Sequence, residues 1–219
     1  MFESVSVIGH GRVGSAVSAR LVERGLCVDA DAADLVLLCV PDRAIAEVAQ
    51  SVEPGPWVAH VSGATRLSAL EPHTRRFSVH PLQTIVHGRG PEQLDGAWAA
   101  VTAEDDEARM RGEWLARTLG LRPFGLADDA RPLYHAGAAF ASGYLVTIWR
   151  AASALFEEAG APPGALLPLM RRTIDNGFEL TGPIARGDWA TLDAHRAAIR
   201  EARPELEAVY DALAEATAR

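Results

Sequence analysis

The stretch VSVIGHGRVGSAV, from Val5 to Val17, decides the fold. Its apolar, β-branched start predicts a strand over 4–8, and the residues from 12 to 24 have the spacing of a helix. Three glycines with the spacing G-x-G-x-x-G lie between them: Gly9, Gly11 and Gly14. In dinucleotide-binding folds these allow a tight turn, backbone approach to a pyrophosphate, and close packing of the helix on the strand.

We therefore predict a phosphate-binding loop that ends at a helix N-terminus, where free N–H groups and the positive end of the helix dipole favour an anion. The residues assigned to this loop are Gly9, His10, Gly11, Arg12, Val13 and Gly14.

The segment after this first helix is too short for the next unit of an intact fold. Only LCVDADAA separates Gly25 from the apolar run that starts at Asp34. A parallel crossover needs roughly a dozen residues or more. We therefore expect the second strand and helix to be truncated, with the strand either vestigial or absent. Asp29, Asp31 and Asp34 lie nearby, but none is assigned to a ribose, and Arg12 is an alternative anchor for the phosphate.

Two segments of different character follow one another along the chain. Up to residue 127, predicted strands (34–40, 57–61, 76–79, 97–102, 122–126) alternate with predicted helical segments (43–52, 66–70, 106–119). This alternation predicts an α/β fold with a mainly parallel sheet. From residue 128 the pattern is alanine-rich, and it predicts one long, largely buried helix followed by helices over 165–180, 188–202 and 204–216. We therefore predict a dinucleotide-binding domain over 1–127 and an all-helical domain over 128–219.

The composition excludes several classes of function. A formal net charge of −8 argues against a nucleic-acid partner and against an anionic membrane surface. All 21 basic residues are arginine, which excludes a lysine Schiff base and a Walker-type phosphate lysine. No apolar run has the length of a membrane span, no signal peptide is visible, and both cysteines lie in or next to apolar segments, so we expect a cytoplasmic protein. No metal-binding spacing is present, so no metal is expected.

Candidate site residues follow the predicted strands. Ligands of open parallel sheets bind at the carboxyl ends of the strands. The residues there include Val40, Pro41, Asp42, Ser62, Gly63 and His80. His60 belongs either to the core or to this edge of the sheet.

Three further candidates lie in the predicted helical domain. His135 and Ser142 are two helical turns apart and share one face with small residues, so His135 could donate a proton near neutral pH. The alternative is a structural histidine at a domain seam. Arg186, in the loop TGPIARGD, could clamp a substrate carboxylate. The alternative for this segment is an interhelix loop in which Asp188 caps the next helix.

Six blocks of the sequence together resemble one known family. They are VSVIGHGRVGSAV, LVLLCVPDRAIAEVA, HVSGA, HPLQT, YHAGAAFASGYLV and LTGPIARGD. In this order they resemble the Rossmann-like domain-of-unknown-function 2520 family, which is similar to 6-phosphogluconate dehydrogenase, ketopantoate reductase and pyrroline-5-carboxylate reductase.

The resemblance implies an N-terminal dinucleotide-binding domain, a C-terminal helical domain and a homodimer formed largely through the helices. It also implies that the loops at 40–42 and 62–63 flank the nicotinamide. The chain departs from these relatives by lacking their helix lysine and by having Ala141-Ser142-Gly143 where FASN is common.

Two hypotheses of function follow. The first is an oxidoreductase that uses NADP or NAD and acts on a small keto or imino acid, a small-molecule carboxylate, with His80, His135, Ser142 and Arg186 at the substrate. The second is a degenerate, non-catalytic Rossmann scaffold that acts as a dimeric ligand-binding or interaction protein. The truncated strand and the missing lysine favour the second, whereas the intact glycine loop and the motifs of the helical domain favour the first.

Overall fold

The chain forms a seven-stranded sheet followed by a group of helices. The computed structural model describes residues 1–29 and 32–219. The strands are β1 (Ser4–Ile8), β2 (Cys27–Val28), β3 (Leu35–Leu38), β4 (Trp57–His60), β5 (Arg76–Leu82), β6 (Trp98–Ala103) and β7 (Arg122–Gly125). Their order in the sheet is β2-β1-β3-β4-β5-β6-β7. All neighbouring pairs are parallel except β5 and β6. The predicted α/β fold with a mainly parallel sheet is confirmed.

The α-helices of the described chain are α1 (Arg12–Glu23), α2 (Ile45–Gln50), α3 (Asp106–Thr118), α4 (Arg131–Ala141), α5 (Gly143–Glu158), α6 (Leu166–Asp175), α7 (Trp189–Ala202) and α8 (Glu207–Ala218). The chain divides into two compact units, Met1–Phe140 and Ala141–Arg219. The first unit therefore includes nearly all of α4, which the sequence analysis assigned to a domain starting at residue 128.

Both faces of the sheet are covered near β3, which is why the four residues of β3 are all apolar and buried. On one face, side chains of α1 and α3 such as Val17 and Leu115 pack on Val7, Leu37 and other buried strand residues. On the other face, Ile45 and Ala49 of α2 join Val36, Leu38 and Val58. Burial of this continuous apolar layer is the main force that holds the strand ends in register.

The edge of the sheet at β2 shows how the fold tolerates its truncation. β2 has only two residues, paired in parallel with Ser4 and Val5 of β1. Directly after it, Asp29 has a φ of 60° and its Oδ1 accepts the backbone N–H of Val7 at 3.1 Å. A side chain thus supplies the hydrogen bond that a longer second strand would have made. The expectation of a truncated second strand is confirmed, and the strand is vestigial rather than absent.

The three aspartates after α1 have different positions. Asp34 lies at the amino end of β3, where its Oδ2 accepts the backbone N–H groups of Glu3 and Ser4. These hydrogen bonds lower the pKa of its carboxyl group. Asp34 therefore serves the start of β1, at the edge of the sheet opposite to the glycine loop. Asp29 lies at the carboxyl edge, and Asp31 lies outside the described residues.

The second unit consists of helices with little buried surface. Its buried apolar residues are Leu166, Leu192, Ile199 and Ala214. α7 and α8 pack through a hydrogen bond between His195 and Tyr210 (2.8 Å). α5 contains no buried residue, although its sequence is apolar.

The predicted single long helix is wrong in two respects. The chain breaks between α4 and α5 at Ser142, whose φ of −126° and ψ of −75° are not helical. In addition, large apolar side chains of α5, such as Leu145 and Ile148, are about 40% exposed. The apolar pattern was interpreted as burial within one chain, whereas these residues form a surface.

Candidate functional site

Two glycines of the first loop are required by the fold itself. Gly9 has a φ of 104°, and a Cβ there would lie 2.6 Å from the backbone oxygen of Cys39. A Cβ on Gly14 would lie 1.8 Å from the backbone oxygen of Gly9. Any side chain at either position would clash with backbone, so the tight strand-to-helix turn depends on both glycines.

Gly11 differs from Gly9 and Gly14, because the fold itself does not require a glycine at this position. Its φ is −71°, which any residue can adopt, and a Cβ on Gly11 would meet nothing within 4 Å. It forms the N-cap of α1, with no side-chain cap and no acidic residue in the first turn. The open space at Gly11 and the uncapped helix start fit a phosphate group, which would occupy the volume of the missing side chain.

The other residues of the loop have distinct places. His10 and Arg12 are exposed, and Val13 packs against the core. The hydroxyl of Ser15 donates to the backbone oxygen of His10 at 3.0 Å, which closes the loop onto the helix. Arg12 lines a small pocket together with His87 and Arg89. Cationic side chains therefore lie beside the start of α1, where an anion is favoured.

The next two strand ends lie beside this loop because β1, β3 and β4 are adjacent and parallel. After β3, Pro41 leads into a 3-10 turn that begins at Asp42, and Val40 packs against the core. After β4, Ser62 is buried, and its Oγ accepts the N–H groups of Ala64 and Thr65 at 3.2 and 3.0 Å. The hydroxyl of Ser62 thus shapes its own loop.

Gly63, His80 and His135 meet at this edge of the sheet. A Cβ on Gly63 would lie 2.7 Å from Cδ2 of His135 and 2.9 Å from Nε2 of His80. The rings of the two histidines are 6.1 Å apart, centroid to centroid. Three residues that the sequence analysis selected from a loop, a strand and a helix therefore form one cluster, and a side chain at position 63 would separate them.

His80 lies inside β5 rather than at its end, since the strand continues to Leu82. The strand predicted from the sequence ended at residue 79. Pro81 is tolerated because β5 pairs with β4 only up to Ser78, so the missing N–H of Pro81 costs no sheet hydrogen bond on that side.

Arg131 was not selected from the sequence, yet it is fully buried beneath this cluster. Its guanidinium donates to Ser78 Oγ (2.6 Å), Thr102 Oγ1 (2.8 Å) and the backbone oxygen of Ser62. None of the ion pairs found in the described residues includes it. Asp128 and Asp42 act on its charge from beyond ion-pair distance, and the buried guanidinium places a positive charge directly beneath the cluster.

Tyr134 is the second residue missed from the sequence. Its hydroxyl lies 2.8 Å from Nδ1 of His80, and the two rings meet edge to face. Arg131, Tyr134 and His135 are three and four residues apart, so they share one face of α4. This spacing was the only signal in the sequence, and it becomes informative once Arg131 is known to reach Ser78 and Thr102 of the sheet.

Burial lowers the pKa values of two histidines. The pKa of His80 falls to about 4, because of desolvation first and then the charges of His135 and Arg131. The pKa of His60 falls to about 3 through desolvation and the charge of Arg131. His60 is fully buried, and its Nδ1 accepts the N–H of Ser62 at 3.2 Å. Its Nε2 is buried and has no hydrogen-bond partner among the described residues. Of the two alternatives for His60, the core position is the one observed.

Ser142 and Arg186 belong to the second unit. The two-turn spacing from His135 to Ser142 assumed a continuous helix, and the break at Ser142 removes that argument. Arg186 is exposed and donates to the backbone oxygen of Thr181 at 2.9 Å. Asp188 caps α7 by accepting the N–H of Thr191 at 3.2 Å. The loop therefore has the capping role that was one of its two alternatives.

The described residues contain neither a group of metal ligands nor a membrane-spanning helix. Within 1–29 and 32–219, no three His, Cys, Asp or Glu side chains are grouped as metal ligands. Of the helices that the structure describes, none has both the length and the apolar character of a transmembrane span.

Solved structures share this fold at low sequence identity. A Bacteroides fragilis protein provisionally named as an NADP oxidoreductase aligns with a TM-score of 0.83 and 20% identity, over 99% of this chain and 98% of its own. Protein TM1727 from Thermotoga maritima aligns with a TM-score of 0.75 and 21% identity, over 96% and 95%. A reductive aminase from Aspergillus terreus, in complex with NADPH and ethyl levulinate, has a TM-score of 0.66 and 17% identity, over 98% and 93%.

Family models match both parts of the sequence. No protein of curated function matches it significantly. The model of a Rossmann-like domain matches residues 26–86. The model described as Domain of unknown function (DUF2520) matches residues 97–217, which is more than half of the chain. The family that the six sequence blocks indicated is thereby confirmed, and the chain belongs to the DUF2520 family.

Proposed function

We propose that this protein is an oxidoreductase that uses NADP or NAD and acts on a small keto or imino acid. The observation that carries the proposal is the meeting of Gly63, His80 and His135 on the sheet edge that also holds the open Gly11 loop. The structural neighbours named for NADP and NADPH support the cofactor class.

The order of the strands supports one orientation of the cofactor. With its pyrophosphate at Gly11, one half of a dinucleotide would extend toward β2 and the other over the ends of β3 and β4. Because β2 has only two residues, the sheet offers the adenosine half a shorter surface to bind on. The other half would reach 40–42 and 62–63, next to the histidine cluster.

The dinucleotide, when bound, supplies or accepts the hydride. His135 is exposed beside Gly63 and would exchange the proton that accompanies the hydride. The buried Arg131 beneath the Ser62 backbone would favour a ligand that carries negative charge. Arg186 of either subunit of a dimer would hold the substrate carboxylate, since its guanidinium is exposed and can donate two parallel hydrogen bonds to a carboxylate.

Calorimetric titration with NADPH, NADH and NADP tests this proposal, with Gly11→Val as the decisive variant. A branched side chain at Gly11 would fill the space of the pyrophosphate without straining the backbone, so we expect at least a hundredfold loss of affinity. Gly164→Val is the matched control, because Gly164 is also open and has no positive φ. We expect that control to bind normally.

The alternative is a non-catalytic scaffold, which the two-residue β2 favours. Absence of binding for all three dinucleotides in the folded wild-type protein would support the scaffold and overturn the oxidoreductase. Equal affinity of Gly11→Val and wild type would show that the glycine loop is not the binding site.

A further inference from the structure

The hydrogen bond between His80 and Tyr134 determines which ring nitrogen of His80 carries the proton. Nδ1 of His80 lies 2.8 Å from the hydroxyl of Tyr134, and the ring centroids are 5.6 Å apart at 85°. A neutral imidazole has one N–H, on either Nδ1 or Nε2. Which nitrogen carries it decides whether the site donates a hydrogen bond to a ligand or accepts one from it.

The ring proton of His80 resides on Nε2 for two reasons. First, burial and the nearby charges of His135 and Arg131 lower the pKa of His80 to about 4, so the ring is neutral at pH 7. Second, a phenol is a stronger acid than an imidazole N–H, and an imidazole nitrogen is a better acceptor than a phenol oxygen. The hydroxyl of Tyr134 therefore donates to Nδ1, and the ring proton resides on Nε2.

Nε2 of His80 faces Gly63. It lies 2.9 Å from the position that a Cβ of Gly63 would occupy, and the hydrogen bond that the structure shows for this ring is at Nδ1. Because the two histidine rings leave no room for even a methyl group at Gly63, a ligand would meet the N–H on the side of the cluster where His135 is exposed. The fully buried Arg131 adds positive potential from below, which disfavours a cationic ligand at the same point.

We propose that Tyr134 is a positioning residue that holds His80 as its Nε2–H tautomer, so that the site takes a substrate with a carbonyl oxygen in preference to a protonated imine. This substrate preference rests on the proposed function. A carbonyl oxygen accepts the hydrogen bond from Nε2–H and gains negative charge as hydride arrives at carbon. An iminium nitrogen carries a proton and a positive charge, so it opposes both the N–H of His80 and the charge of Arg131.

The tautomer is measured by long-range ¹H–¹⁵N NMR of the histidine rings in the ligand-free protein at pH 7. We expect the Nε2–H form of His80 in the wild type and a mixture of tautomers in Tyr134→Phe. Tyr210→Phe is the matched control, because Tyr210 makes a hydrogen bond of 2.8 Å to Nδ1 of His195 with nearly the same ring geometry. That variant is expected to leave the signals of His80 unchanged.

A dominant Nδ1–H form in the wild type would overturn the proposal, as would signals of His80 that are identical in Tyr134→Phe. This measurement needs no cofactor, so it remains decisive even if no dinucleotide binds and the proposed function fails.

The substrate preference is tested with NADPH and two kinds of probe, straight-chain 2-oxo acids and the cyclic imine 1-pyrroline-2-carboxylate. We expect a kcat/KM at least tenfold higher for the best oxo acid, and a loss of at least fivefold in Tyr134→Phe but not in Tyr210→Phe. Faster turnover of the imine would overturn the proposed preference for a carbonyl substrate. The tautomer assignment would still be decided by the NMR result.

Discussion

Single residues contribute to the electrostatics of the site, and Arg131 is the cation buried beneath it. Its guanidinium is fully buried, donates to two hydroxyls and one backbone oxygen, and lowers the pKa values of His60 and His80. Desolvation also lowers the pKa of Arg131 itself. Desolvation first, and then the charge of Arg131, hold the two histidines beside it in their neutral forms at pH 7.

The depressed pKa of His60 has a consequence for stability. In the unfolded chain a histidine titrates near 6.5, whereas His60 titrates at about 3 in the folded protein. The unfolded state therefore binds more protons as the pH falls through 6.5, and the stabilisation from the neutral ring is lost progressively down to pH 3. We expect His60 to contribute roughly 3 kcal/mol to the loss of stability between pH 7 and pH 4.

Urea denaturation of wild type and His60→Asn at both pH values measures this contribution. The asparagine can still accept the N–H of Ser62, which His60 accepts with Nδ1. Its stability is expected to depend less steeply on pH than that of the wild type. Equal loss in the two proteins would contradict the assignment of a strongly lowered pKa to His60.

At the level of elements, the short β2 depends on a side chain for its last hydrogen bond. Asp29→Ala removes the acceptor for the buried N–H of Val7 and places alanine at a φ of 60°. We expect it to lower the free energy of unfolding by about 1–3 kcal/mol. Asp29→Asn is the control, since asparagine keeps an Oδ1 acceptor and tolerates this φ, and it should lie much closer to wild type. Equal losses for the two variants, measured by denaturant unfolding, would refute this role of Asp29.

Several elements could be predicted from local pattern alone. The bounds of β1 agree with the prediction over 4–8, since a short apolar run ends there at the glycine turn. The truncation of β2 followed from chain length, because no crossover helix fits into the residues available. The reversed direction of β6 was not predicted, since it depends on the path of residues 83–97 rather than on the strand sequence. The break at Ser142 was missed because the helical pattern continues across it.

Part of the site could also be predicted from the local sequence pattern. Gly63 and His80 were found because residues at or near the ends of parallel strands gather at one edge of a sheet. Arg131 and Tyr134 were missed because their roles depend on where the start of α4 lies, and here Arg131 reaches the polar residues Ser78 and Thr102 of the sheet. Helix spacing showed which residues share a face of α4, but not which surface that face contacts.

For the whole molecule, we propose a homodimer formed through the helices of the second unit. Apolar side chains of α5 and α6, such as Leu145, Ile148 and Leu169, are 40–61% exposed. A surface of this kind on a single chain indicates an interface, and a second copy is the occupant that the family resemblance implies.

Sedimentation equilibrium at micromolar concentration tests the dimer. We expect the wild type to sediment as a dimer and the double variant Leu145→Glu, Ile148→Glu to sediment as a monomer, since each glutamate would be buried without a partner. Val22→Glu is the control, because Val22 is a 60% exposed apolar residue on α1 in the first unit. A monomeric wild type, or a double variant that remains dimeric, would contradict the proposed interface.

The central claim is that the glycine loop and the histidine cluster form one dinucleotide site. It is tested most directly by NMR of the NADPH complex, through intermolecular NOEs between the nicotinamide ring protons and the ring protons of His80 and His135. The two histidine rings meet over Gly63, at the strand end adjacent to the loop, so we expect NOEs to at least one of them and loss of these signals in Gly11→Val. NADPH that binds without any NOE to either histidine, or a folded wild-type protein that does not bind NADPH or NADH, would contradict the claim.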